Sequence, residues 1–189
     1  MSMFLGPIHY WLYKKIGNQE ELTTAIAEDA KQHGWISDTA DYVKVLPALE
    51  SVIDEKNIHG WLQDQIADAE TRYADLISAA ADHLESVKQT AFAFGERNAV
   101  SSDADVEEIY QYFEDFFVNG MPCDRVNEVT EQTGSSVSWK MNQDIHAQYC
   151  KDSDSEKYYE IRKAVMDGML RGTDYSVEMQ DRYHYTLMK

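Results

Sequence analysis

Apolar residues recur at intervals of three and four along most of this chain, the spacing of amphipathic helices rather than of strands. Ile8, Leu12 and Ile16 line one side of a first helix. Gly6-Pro7 marks its start, because proline already holds a helical φ and the first turn needs no donor there. Gly17-Asn18 punctuates it, and "QEELTTAIAEDAKQH" predicts a second helix ending at Gly34. Ser37 or Asp38 is placed to cap a third, which Pro47 must kink or end. The longest pattern follows. Ile58, Leu62, Ile66, Ala69, Tyr73, Leu76, Ile77, Ala80, Leu84 and Val87 share one side of a helical wheel, predicting one long central helix over about 57–94.

Ser102 with Asp105 forms a variant capping box before the aromatic-rich "VEEIYQYFEDFFVNG", which Gly120 closes. Pro122 and Gly134 bracket "MPCDRVNEVTEQTG" as another helix, "SVSWKMNQDIHAQYC" reads as the next, and "SDSEKYYEIRKAVMDGML" follows behind serine and aspartate caps. The tail changes period. Tyr175, Val177 and Met179 alternate, as do Tyr183, Tyr185 and Leu187, which predicts a short C-terminal β-hairpin, with helix as the alternative because no Asn-Gly turn secures it. The expected fold is all-α: a multi-helix bundle in a single domain over residues 1–189, with a subdomain break near 119–121.

Charge narrows the function classes. The 189 residues include 34 acidic and 17 basic ones, a net charge of −17. Such a balance argues against unaided nucleic-acid binding and against docking on anionic membranes, both of which need clustered Lys and Arg. An acidic solvated surface is the plain reading of it, and a basic partner or a cationic ligand is the sharper alternative. No run of about 18 apolar residues offers a membrane span. The apolar N-terminus lacks the basic segment and cleavage site of a secretory signal. Two cysteines, Cys123 and Cys150, do not make a disulfide framework, so a cytoplasmic location is expected.

Candidate chemistry gathers at three Ile-His pairs. "PIHYWLYKKI" and "NIHGWLQDQI" both read I-H-x-W-L-x-x-x-I, and "DIHAQYC" is a weaker echo. His9 and His59 stand near helix starts, where the helix dipole opposes positive charge and favours the neutral, ligating imidazole. Glu55 precedes His59 by four residues, and His146 precedes Cys150 by four, the spacing that turns two ligands toward one ion from a single helix. Cys123 follows Pro122 at an expected helix N-terminus, which favours a thiolate. Trp11, Tyr13, Trp61 and Tyr149 supply aromatic walls for a pocket.

The expectation is therefore a metal ion, Zn or Fe, or a metal-containing cofactor, held by His9, His59 and His146, with Cys123, Cys150 or Glu55 as supplementary ligand or base. Redox or hydrolytic chemistry would follow from an open coordination position. The partner would be a small ligand or cofactor, and a homo-oligomer is a further expectation. The alternative is an acidic helical interaction module without catalysis. A third, Cys123 as nucleophile with a histidine base, lacks any sequence feature placing the two together. Ferritin-like Glu-x-x-His is absent, since Lys56 and Gln143 stand three residues before His59 and His146, and no phosphate-loop, dinucleotide-loop, C-x-x-C or serine-elbow motif occurs.

Overall fold

The computed structural model describes residues 5–151 and 154–189. The described residues form five α-helices: α1 (Pro7–Gln32), α2 (Ile58–Ala79), α3 (Leu84–Arg97), α4 (Val106–Phe116) and α5 (Glu156–Leu170). Four strands join them: β1 (Asn127–Gln132), β2 (Ser136–Met141), β3 (Ser176–Asp181) and β4 (His184–Met188). The fold is mixed α and β, which corrects the all-α expectation.

The strands form one antiparallel sheet in the order β1-β2-β4-β3. Residues 121–150, expected to form two helices, instead supply the hairpin β1–β2. In β2, Val137, Trp139 and Met141 are buried while the residues between them are half-exposed, a strict period of two. Thr133-Gly134-Ser135 turns the hairpin rather than stopping a helix, with the Thr133 N–H donating to Ser136 O at 2.8 Å. Pro122 starts only a three-residue 3-10 turn, Pro122–Asp124. The alternating tail forms β3 and β4, and Trp139 of β2 stacks on Tyr185 of β4 at 5.3 Å between centroids. The sheet's inner face, carrying Val137, Trp139, Met141, Val177, Tyr185 and Leu187, packs on α4 and α5.

The helices depart from expectation in three places. First, α1 runs unbroken through Gly17 to Gln32, in place of two helices, because its buried side continues from Leu12 and Ile16 to Leu22 and Ile26. Second, residues 38–48 do not form the third helix; they run as turns and extended chain. Arg72 of α2 helps to hold this segment, donating to Tyr42 O at 2.6 Å while pairing with the buried Glu20 of α1. Third, the expected helix 57–94 breaks at Ala80, where the 3-10 turn Ala81–His83 separates α2 from α3. One such turn shifts the apolar side by only a fraction of a turn, so Leu76, Ala80 and Val87 all still reach the core and the break leaves little trace in the periodicity. Trp35 stacks on His83 at this corner, with centroids 4.2 Å apart.

The cap of α4 also lies three residues later than expected. Asp105 Oδ1 accepts from the N–H groups of Glu107 and Glu108, and Glu108 Oε2 accepts from the Asp105 N–H, a full capping box. Two apolar clusters result. The larger joins the later part of α1 and α2 with α3, α4, α5 and the sheet. The smaller surrounds Leu12, Ile16, Ile58, Leu62, Ile66 and Val118. Among the described residues no helix is long and apolar enough to cross a membrane.

Candidate functional site

His9 and His59 do meet. Their rings lie 5.6 Å apart at the paired starts of α1 and α2. The chemistry of the contact is nevertheless that of a helix cap. The Gly6 N–H donates to His9 Nδ1 at 2.9 Å, so the neutral ring carries its proton on Nε2. A metal at Nε2 would force that proton onto Nδ1 and so break the hydrogen bond from Gly6. His9 is buried and His59 exposed. The aromatic neighbours are likewise engaged in packing: Trp11 Nε1–H donates to Asp115 Oδ1 at 2.9 Å, Tyr13 O–H donates to Pro47 O at 3.0 Å, and Trp61 lies 5.9 Å from Tyr13.

The other expected ligands are dispersed. Glu55 is exposed in the turn before α2, so it does not share a helical face with His59. Cys123 is exposed on its 3-10 turn, its Sγ 3.9 Å from Asp124 Oδ1. His146 contacts Glu70, eleven residues beyond His59 on α2, which at a helical rise of 1.5 Å per residue is about 16 Å along the axis. His9, His59 and His146 therefore do not form one centre. Among the described residues no group of three His, Cys, Asp or Glu side chains is arranged to hold a metal ion.

His146 sits instead in the loop between β2 and α5. Asp144 folds that loop. Its Oδ1 accepts from the N–H groups of His146 (3.1 Å) and Ala147 (3.0 Å) and from Tyr159 O–H (3.0 Å), and its Oδ2 accepts from Ser155 Oγ. Burial alone would raise the Asp144 pKa, but the hydrogen bonds from Ser155, Ala147, Tyr159 and His146 together hold it below the usual carboxylate value. The loop thereby delivers His146 into the protein interior, where 1% of its surface is exposed.

Inside, the His146 Nδ1–H donates to Glu70 Oε2 at 2.9 Å, and Glu70 itself is 2% exposed. The Tyr158 ring of α5 stacks on the imidazole at 3.8 Å, and Tyr159 meets its edge. Burial pushes the His146 pKa down, Glu70 opposes that, and the nearby Arg162 adds to the depression. The ring is thus neutral at pH 7, with Nδ1 engaged and Nε2 carrying the lone pair. Nε2 is buried and has no hydrogen-bond partner among the described residues. The Arg162 guanidinium, also buried, donates from Nη2 to Val118 O and Asn119 Oδ1, both at 2.8 Å, and lies over the rings of Phe117 and Tyr158. It supplies the positive field that a buried carboxylate needs.

Glu70 and His146 form part of the wall of a cavity of about 70 Å³. Its polar lining is completed by Gln63, Asp124, Gln148 and Tyr149, and its apolar lining by Ile66, Val118, Met121 and Ile145. Of the residues expected to matter, His146 and Tyr149 are here. Cys150 is close by but turned away, its Sγ–H facing His146 O at 3.5 Å. Burial, then the carboxylates Glu70, Asp144 and Asp154, push the Cys150 thiol up to about 11, which keeps it protonated rather than nucleophilic.

Glu70, Tyr158, Arg162 and Asp144 lie outside the set that the sequence pattern singles out. A signal for Glu70 exists: it lies between Ile66 and Tyr73 on the apolar side of α2, where a carboxylate needs a partner. Comparison with protein-family models, curated proteins and solved structures gave no match to this chain.

Proposed function

We propose that the protein binds a small hydrogen-bond-donating ligand, neutral or cationic, in the cavity beside His146, and that the imidazole acts there as acceptor and base. One observation carries this reading: Glu70 fixes the proton of a buried, neutral imidazole on Nδ1, leaving the Nε2 lone pair without a partner among the described residues, next to a polar-lined cavity. A carboxylate behind an imidazole sets its tautomer and offsets part of the loss of basicity that burial imposes. The cavity adds the carboxylates of Glu70 and Asp124 and the amides of Gln63 and Gln148, a set that suits a donor-rich ligand such as a small amine or amide. At about 70 Å³ it admits only a few heavy atoms, given a liquid volume of about 30 Å³ per water.

The test is nitrogen NMR of histidine-labelled protein titrated with methylammonium, acetamide and methanol. Binding moves the His146 Nε2 resonance saturably, and His146→Gln abolishes the response. No saturable shift with any of the three rejects the reading. A metal ion at Nε2, zinc or iron, is the second reading, favoured by the same Glu70–His146 contact because metal-bound imidazoles are oriented in this way. Stoichiometric zinc binding that is lost in His146→Gln, without a response to the organic probes, selects it.

A further inference from the structure

Tyr158 also lines a second, larger cavity of about 210 Å³, which goes beyond the His146 reading. Its apolar wall comes from α2 and the turn after it, through Tyr73, Ala74, Ile77 and Ala81, and from the Tyr158 ring of α5. Tyr73 meets the Tyr158 ring edge-on at 5.3 Å, so two aromatic surfaces stand at right angles within the lining. An apolar cavity of about 150 Å³ is enough to bind benzene. This one admits a single ring with a small substituent.

Its polar groups favour an uncharged ligand. Lys151 is drawn to Asp75 at 3.7 Å, and Asp154 Oδ1 is engaged by the Glu156 N–H at the start of α5. Lys157 and Asp154 bring opposite charges to the lining. The remaining polar atoms in the lining include two neutral ones, the Ser78 hydroxyl and the Cys150 thiol, which is held protonated. A charged ligand would lose its hydration and meet both signs of charge in the lining, whereas a neutral ring with one hydroxyl matches its apolar wall and its neutral polar groups. We propose that this cavity is a binding site for a neutral, single-ring aromatic of the phenol class, held between Tyr73, Tyr158 and Ile77.

Cys150 reports occupancy, because it lines the cavity. In a Cys123→Ser protein it is the one remaining thiol, and its slow alkylation by iodoacetamide, through the small thiolate fraction present at about pH 8, can be timed with phenol, benzoate or benzylamine present. Phenol at ten times its Kd slows the reaction about tenfold, as the free fraction falls in proportion, and the two charged rings protect less. The protection vanishes in Ser78→Phe, which fills the cavity from its rim, and survives in His146→Gln, which separates this site from the one proposed above. Absence of protection by phenol, equal protection by all three compounds, or better protection by a charged ring overturns the proposal. Should Ser78→Phe fail to fold, the comparison of the three rings in the Cys123→Ser protein decides alone.

Discussion

Glu70 and His146, separated by 76 positions in the chain, are joined by a 2.9 Å hydrogen bond with almost no exposed surface on either side chain. The two partners are not equivalent. Removing the imidazole leaves a buried carboxylate without its nearest donor, whereas removing the carboxylate leaves only neutral donors unpaired, the imidazole N–H and the Tyr158 O–H. His146→Leu is therefore expected to cost about 3–5 kcal/mol and Glu70→Leu about 1–3 kcal/mol. The double variant should be more stable than His146→Leu alone, since it removes the stranded charge. Urea unfolding of the three proteins measures this, and a His146→Leu cost no larger than that of Glu70→Leu contradicts the assigned protonation state.

The same pair sets a pH dependence. Burial holds the folded-state pKa of His146 below its ordinary value of 6.5. As the pH falls through about 6.5, the unfolded chain takes up a proton that the folded chain refuses, so stability declines toward acid until the folded pKa is reached. Stability is unaffected by this group above that range. His146→Gln should flatten the decline between about pH 6.5 and pH 5, read as the difference in unfolding free energy between the two proteins across that interval.

How much of this is legible in the sequence depends on range along the chain. Helical periodicity locates α4 and α5 and covers α1 as two pieces, and period two locates β3 and β4, because each pattern is completed within a few residues. The alternation of Val137, Trp139 and Met141 is equally local, but it is only three apolar positions long and passes for the start of a helix. With that segment helical, His146 and Cys150 would share a face; in the actual turn, the thiol faces the backbone of His146 instead. The local pattern marks His146 as unusual and assigns it the wrong partners. Its true partner, Glu70, comes from another element, and only the tertiary fold supplies it.

Lys15 supplies a test in alkaline solution. It is 2% exposed, and its ammonium lies 4.1 Å from the centroid of the Trp11 ring. Burial lowers its pKa to about 8, with Glu114 opposing and Arg162 reinforcing the shift. Below pH 8 the ammonium is charged in both states and burdens the folded one. Between about pH 8 and pH 10.5 the folded chain has released the proton that the unfolded chain still holds, so this burden lifts as pH rises. Lys15→Met keeps the aliphatic stem and should stabilise the protein at pH 7 by about 1–2 kcal/mol, after allowance for the lost cation–π contact. The gain should shrink toward pH 10. A gain that is constant with pH would contradict the depressed pKa.

Gly95 of α3 and Gly168 of α5 bring two helices into backbone contact. A Cβ on Gly95 would stand 2.1 Å from Val165 O, and one on Gly168 would stand 2.1 Å from Phe92 O. Neither obstacle is a flexible side chain, so the helices themselves must separate. Alanine favours a helix interior over glycine by about 1 kcal/mol, but overpacking costs about 1–3 kcal/mol and occasionally more, and a clash with backbone places these two sites at the upper end. Gly95→Ala and Gly168→Ala should each be destabilising by roughly the difference, about 2 kcal/mol or more. Gly17 gives the opposite result within the same molecule. It lies inside α1, and a methyl group added there would meet nothing within 4 Å, so Gly17→Ala should stabilise by about 0.5–1 kcal/mol. Urea midpoints of the three variants check both signs at once, and a stabilising Gly95→Ala would mean that α3 and α5 do not approach as closely as described.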